Sequence, residues 1–197
     1  LYLRKDTLKC FLSKMNLKSD FSKFNNKDFY PGNLILRILW YLFSLFFFKS
    51  SWLPFSFFKV FILRIFGAKI GKSVVIKPSV NIKYPWKLSL GNHVWIGENV
   101  WIDNLDNVVI GNNVCISQGA FLLCGNHNYK KDSFDLITKP IIVEDGVWIG
   151  AKSTVLPGVT AKSHSILSAG SVTSKNLEPY SIYRGNPAEK VSIRTIS

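Results

Sequence analysis

Between Ile70 and Thr173 an aliphatic residue recurs every six positions, and a small side chain or valine follows it four places later. IGKSVV begins at Ile70, IKPSVN at Ile76, LGNHVW at Leu90, IGENVW at Ile96, IGNNVC at Ile110 and ISQGAF at Ile116. After an interruption the register resumes with VEDGVW at Val143, IGAKST at Ile149, VLPGVT at Val155, AKSHSI at Ala161 and LSAGSV at Leu167. A fixed six-residue period marks a β-solenoid, in which each hexad supplies a short strand and a corner. The aliphatic residue points inward and stacks on its equivalents above and below. The small residue four on fills the corner, and Gly or Asn takes the backbone angles that L-residues resist. Two skips of two residues, near Lys87–Ser89 and Asn107–Val109, predict small bulges or loops.

The rest of the chain is of another kind. With 47% hydrophobic and 19% charged residues the 197-residue chain is not disordered, and its length suits one domain with an appendage. Residues 1–72 hold 13 basic and 3 acidic side chains, whereas residues 73–197 hold 12 and 9. A protein gripping nucleic acid over its whole surface would not confine its charge this way; a basic, aromatic-rich front end suits an anionic membrane surface. Cys10, Cys115 and Cys124 form no CxxC pair, which argues for a reducing compartment and against a disulfide framework or zinc knuckle. Residues 1–29 are polar and Lys/Asn-rich, without the apolar core of a signal peptide, and read as a flexible arm. The expected location is the cytoplasm, at the inner face of the membrane.

Residues 30–66 are the apolar, basic segment. Its longest charge-free run, Ile38–Phe48, is bounded by Arg37 and Lys49 and is shorter than the roughly 18–20 residues that span a bilayer. Lys49-Ser50-Ser51 and Pro54 divide it into two helices joined by a turn. Arg37, Tyr41 and Ser44 fall on one narrow polar stripe of the first. Two roles fit: a helical pair packed over the end of the solenoid, or an amphipathic hairpin in a membrane surface.

The solenoid occupies residues 67–178, interrupted by a loop over 123–142, and residues 179–197 form a C-terminal tail. Long loops inside repeat arrays are frequently functional. This one carries His127 in GNHNY; composition alone favours a surface histidine in a polar loop.

The hexads resemble those of the hexapeptide-repeat transferases, which implies a mainly β fold, a left-handed parallel β-helix with three hexads per coil. ISQGAFLLCGNHNYKKDSFDLITKPIIVEDGVWIGAKSTVLPGVT and SAGSVTSKNLEPYSIYRGNPAEKV are similar to the active-site region and last coil of acetyl-CoA-dependent O-acetyltransferases. YPWKLSLG, the WIDNL run and GNHNY narrow the resemblance to the WcaF-type colanic-acid and capsule exopolysaccharide acetyltransferases. It implies a homotrimer that transfers acetyl from acetyl-CoA to a sugar hydroxyl, with no metal. His127 is then the general base, an imidazole whose unperturbed pKa suits proton removal near neutrality. No Ser or Cys elbow is evident, so direct transfer is expected. Asn104 in WIDNL is a candidate acceptor-binding residue and equally an ordinary corner asparagine. Ala151, Ala169, Ser174 and Lys175 match coenzyme-contacting positions, and the tail basics Lys190 and Arg194 match nucleotide-phosphate contacts. Some relatives carry an asparagine where Gly97 stands here, so the acceptor site is expected to differ.

Other functions stay in view. Hexapeptide transferases also acetylate amines, including amino sugars. The γ-class carbonic anhydrases share the β-helix and bind zinc through three histidines. His93 and His164 stand at the fourth position of their hexads and His127 does not, and Asp132 stands where a second loop histidine would be needed. A non-catalytic trimeric scaffold is the remaining alternative.

Overall fold

A computed structural model describes residues 18–196; the part of the arm assigned to residues 1–17 lies outside them. The chain divides into a large unit of residues 31–125 and 138–196 and a small one of residues 18–30 and 126–137.

The large unit is a parallel β-solenoid with three faces. The first face stacks Lys69–Ile70, Leu88–Leu90, Val108–Ile110, Ile141–Val143 and Thr160–Ala161. The second stacks Val75–Ile76, Trp95–Ile96, Cys115–Ile116, Trp148–Ile149, Ile166–Leu167 and Ser181–Gly185. The third stacks Asn81–Ile82, Trp101–Asp103, Phe121–Leu123, Thr154–Val155 and Val172–Thr173. First hexad positions lie in register, as in Ile76, Ile96, Ile116, Ile149 and Leu167, and all five are fully buried. Val74, Val94, Val114, Val147 and Ser165 fill one corner column between them.

The fourth position of the hexads takes the left-handed backbone, with φ between 54° and 60° at Ser73, Ser79, His93, Asn99, Asn113, Lys152 and His164. Serine, lysine and histidine therefore occupy angles expected of Gly or Asn. The ladder on either side fixes the corner, and its hydrogen bonds outweigh a left-handed penalty of about 1–2 kcal/mol per residue. The expected C-terminal tail is a hairpin. Ser181–Gly185 extends the second face in parallel, and Ala188–Ile193 pairs antiparallel with it.

Every departure from the six-residue count falls at one corner, between the third and first faces. In the first coil it is the 3₁₀ turn Pro85–Lys87, in the second the Asn104–Asn107 turn, and in the third the long excursion after Leu123. Leu88, Val108 and Ile141 nevertheless pair in register, so each coil rejoins the ladder after its detour.

The front segment forms two helices, α1 (Leu34–Phe47) and α2 (Ser56–Ile65), with the break where the sequence predicts it. Asn33 starts α1 by accepting from the backbone N–H groups of Ile35 and Leu36. The pair covers the exposed edge of the solenoid with one set of donors per face. In later coils the carbonyl at the first hexad position accepts from the coil before it: Leu90 from Gly71, Ile96 from Lys77, Ile102 from Lys83. In the first coil that neighbour is missing. Arg64 Nη2 donates to the carbonyls of Ile70 and Gly71 at 2.9 Å. Ser56 Oγ donates to Ile76 O at 3.2 Å, and Lys59 Nζ to Lys77 O at 2.9 Å. Trp40 Nε1 donates to Ile82 O at 3.0 Å. An open sheet edge with a greasy neighbour invites unwanted pairing, and these side chains close it. Lys59 is buried throughout, and burial pulls its ammonium pKa down. Among the described residues no helix is long and apolar enough to cross a membrane.

In the small unit, residues 18–29 lie against the loop. Asp20 N donates to Asp132 O at 2.8 Å, Asn25 N donates to Asp135 Oδ1 at 3.2 Å, and Lys23 Nζ lies 2.7 Å from Asp132 Oδ2. Phe21 packs on Phe134 with centroids 5.4 Å apart. Composition showed the polar residues of this segment but not that Phe21 and Phe24 point the same way. The hydrogen bond and charge of Lys23 hold the Asp132 carboxyl below its usual range, and the same hydrogen bond and the Asp132 charge raise Lys23. A depressed carboxylate contributes above its unfolded pKa and is lost as pH falls through the folded one; the raised lysine is lost as pH climbs through its own. Protection of the Asp20 amide against hydrogen exchange, compared at matched intrinsic rates, should therefore be retained near neutrality and weaken toward acid.

Candidate active site

His127 ends the strand Gly125–His127, which pairs with Leu136–Thr138 to make a two-stranded hairpin. Its backbone N–H donates to Asn126 Oδ1 at 2.8 Å. Its ring lies flat on Phe134, with centroids 4.5 Å apart and planes 8° from parallel, while Phe24 stands tilted against it at 6.1 Å. Nδ1 is 2.9 Å from the carbonyl oxygen of Phe134. A carbonyl only accepts, so in the neutral ring Nδ1 carries the proton and Nε2 presents a lone pair. Phe134 reaches this position with φ of 53°, a left-handed angle costly for an aromatic residue. The half-buried imidazole is thus fixed in plane, in tautomer and in direction.

Phe134→Gly tests the stack separately, because glycine keeps the left-handed turn and the carbonyl while removing the ring. Aromatic pairs contribute about 0.5–1.5 kcal/mol, so turnover should fall about 2–10-fold with little change in coenzyme affinity.

On the large unit, Asn104 is fully buried and its amide is engaged with the preceding coil. Oδ1 accepts from Lys83 N at 3.1 Å and Tyr84 N at 3.0 Å, and Nδ2 donates to Tyr84 O at 2.6 Å. These bonds tie the start of the Lys83–Lys87 detour to the next coil. Its neighbour Asp103, which sequence reasoning passed over, is a buried carboxylate with Lys83 Nζ 2.9 Å from Oδ1. Its hexad position carries Lys83 in the coil before and Glu144 on another face, so a charge there is not by itself a distinct signal. Gly97 leaves no space for the asparagine of some relatives, since a Cβ there would sit 2.5 Å from the backbone nitrogen of Gln118.

Ala151 and Ala169 occupy equivalent places in successive coils, and Ala151 O accepts from Gly170 N at 2.8 Å. The same column carries Glu98 and Gln118 in earlier coils, so side-chain bulk falls away toward the last two. Ser174 and Lys175 are exposed just beyond the third face, where Thr173 Oγ1 accepts from Lys175 N and donates to Lys175 O. Lys190 pairs with Glu178 at 2.6 Å. Arg194 Nη1 donates to the carbonyls of Gly146 and His164 at 2.8 and 3.2 Å.

His93 and His164 both sit at solenoid corners, the latter stacked on Tyr180 with centroids 4.8 Å apart. Among the described residues no group of three or more His, Cys, Asp or Glu side chains is placed to hold a metal ion. Burial pushes the Cys124 thiol up to about 12, so it is no thiolate at neutral pH. Iodoacetamide at mildly alkaline pH should leave Cys124 unmodified in the native protein and modify it after unfolding, as read by peptide mass.

A three-faced solenoid of hexads with a histidine-bearing loop defines a class, the hexapeptide-repeat acyltransferases. Solved structures share the fold. A hexapeptide-repeat acetyltransferase from Vibrio cholerae, in complex with acetyl coenzyme A, superposes with a TM-score of 0.72 at 23% identity over 82% of this chain and 88% of that one. A galactoside acetyltransferase in complex with coenzyme A gives 0.72 at 23% identity over 82% of each chain. No family model matches the sequence. The colanic acid biosynthesis acetyltransferase WcaF of Escherichia coli K12 is 39% identical over 162 residues, 82% of this chain and 89% of its own. The chain belongs to this WcaF-type family of hexapeptide-repeat acetyltransferases, and it is an acyltransferase.

Proposed function

We propose that the protein transfers the acetyl group of acetyl-CoA to a sugar hydroxyl of an exopolysaccharide or capsule precursor, with His127 as general base. The observation that carries this is the Nδ1 contact to the Phe134 carbonyl, which leaves Nε2 unprotonated and directed. A sugar hydroxyl is a poor nucleophile at neutral pH. As its oxygen attacks the thioester carbonyl, its proton passes to Nε2, and the imidazolium keeps its Nδ1–H bond to Phe134. Collapse of the tetrahedral intermediate breaks the C–S bond, and the proton on Nε2 returns to the departing thiolate. The masked reactivity of Cys124 favours this direct route over an acyl-enzyme.

Acetyl-CoA is the donor bound by the Vibrio cholerae relative in fold, and coenzyme A by the galactoside acetyltransferase. Here its pantetheine arm would follow the small side chains of Ala151 and Ala169 toward Ser174 and Lys175. Lys190 is free to turn to a phosphate, because an exposed ion pair with Glu178 is worth no more than about 1 kcal/mol. Arg194, half-buried on two carbonyls, would meet the nucleotide end. The working assembly is a homotrimer at the cytoplasmic face of the membrane, touching it through residues 34–66. Asn104 supports the acceptor side by fixing its corner.

The test is release of free CoA thiol from acetyl-CoA in the presence of oligosaccharide acceptors, followed by mild alkali. An alkali-labile acetyl product is the expected ester. An alkali-stable amide on an amino sugar would assign the enzyme to N-acetylation instead.

A further inference from the structure

We propose that the cavity between α1 and the third face of the first two coils binds the anionic headgroup of a membrane lipid, with the helical pair lying in the bilayer surface. This rests on the membrane placement above and gives it a site. It is independent of the acetyl transfer.

The cavity is about 440 Å³ and is lined by the polar stripe of α1, Arg37, Tyr41 and Ser44, together with Lys49, Tyr84 and Trp101. Within α1 only Trp40 and Ser44 are buried, and the polar stripe borders the cavity. The apolar side chains of α1 face outward, Ile35 at 68% exposure and Phe46 at 63%, and α2 adds Phe57 at 75% and Ile65 at 65%. An apolar helix left uncovered in this way needs an apolar medium or a partner to cover it.

Charge decides which. Residues 31–66 contain four basic side chains and no acidic one. Lys59 and Arg64 are spent on the carbonyls of the solenoid edge. The Arg37 guanidinium has no hydrogen-bond or ion-pair partner among the described residues, and the Lys49 ammonium has only the face of Tyr41, 5.8 Å away. Both line the cavity, which has no acidic lining residue. A second copy of this face would set Arg37 and Lys49 against their own like charges. An anionic lipid surface offers both an apolar medium for the exposed rings and negative headgroups for the two cations. At 14 residues α1 is roughly 21 Å long, too short to cross a hydrocarbon core of about 30 Å, so it lies along the surface.

The experiment is co-sedimentation of the full chain with phosphatidylcholine vesicles and with vesicles containing about 30% phosphatidylglycerol. The expected result is strong binding to the anionic vesicles and weak binding to the neutral ones. The R37A/K49A double variant should lose affinity about 30-fold, from about fivefold for each cation near the surface. A K152A/K162A control, which removes two exposed lysines of the later coils, should bind like the parent. The substituted arginine and lysine hold up nothing in the core, so an unchanged melting temperature confirms that all the variants are folded.

Failure to prefer anionic vesicles removes the membrane placement and the site together. Anionic binding that R37A/K49A leaves intact, or that K152A/K162A lowers equally, keeps the membrane but overturns the cavity. Full displacement by inorganic phosphate at matched ionic strength would assign the cavity to a free phosphate and overturn the lipid. A larger oligomer that hides α1 and ignores vesicles would assign the face to a second copy and overturn it too.

Discussion

His127→Ala should lower turnover by about 10²–10⁴-fold while leaving acetyl-CoA affinity largely intact. That range corresponds to about 3–5.5 kcal/mol of transition-state stabilisation. Affinity should survive because the imidazole acts on the acceptor hydroxyl, not on the pantetheine arm or the nucleotide. The structure adds a sharper form of the expectation. With Nδ1–H held by the Phe134 carbonyl, only Nε2 is available as base. His127→Asn could place an amide near the same carbonyl without supplying a base, and should therefore be nearly as inactive as the alanine variant. Steady-state kinetics at saturating donor, with a parallel binding measurement, separates the two effects. Full activity in His127→Ala would remove the residue from the mechanism.

The second large effect is on stability. Trp40 is buried, packs edge-on against Phe48 and Phe66 at 5.0 and 5.2 Å, and donates to Ile82 O. Trp40→Ala deletes a large core ring and orphans that carbonyl, and should cost about 3–5 kcal/mol. Trp40→Phe keeps most of the packing and loses the donor, so its cost should be about 1–3 kcal/mol, the penalty of one buried unsatisfied group. Because solenoid coils depend on their neighbours, the loss should begin at the first coil. Hydrogen exchange should show Val75–Ile76 and Asn81–Ile82 opening before the later coils, and urea melts should give the energies. Equal protection along all coils in Trp40→Ala would contradict the capping role.

The parts of the fold set by short-range pattern were readable from the chain. Ile76, Ile96, Ile116 and Ile149 announced themselves by period because each hexad repeats the same local problem of strand, corner and inward side chain. The break between α1 and α2 was equally plain at Lys49–Pro54. What stayed hidden depends on contacts distant in sequence. Nothing local to Lys59 says that its ammonium will meet the carbonyls of Ile76 and Lys77, and a buried lysine is improbable until the missing neighbour coil is recognised. Phe24 and His127 are about a hundred positions apart, so their contact could not be inferred from either segment. The two skips and the long loop were each visible, yet that the chain leaves the ladder at the same corner each time emerged only when the coils were counted in register. Asn104 was an open choice between corner and ligand, and its buried amide bonds the preceding coil at Lys83 and Tyr84.

The central claim is that this solenoid is an acetyl-CoA enzyme with its base at His127. Calorimetric titration of acetyl-CoA into the parent protein and into His127→Ala tests it most directly, with total zinc assayed on the same samples. Saturable binding of similar affinity by both proteins, free of stoichiometric metal, is the predicted result. No binding by the parent, or one zinc per chain, would leave the fold standing and contradict the proposed acetyl transfer.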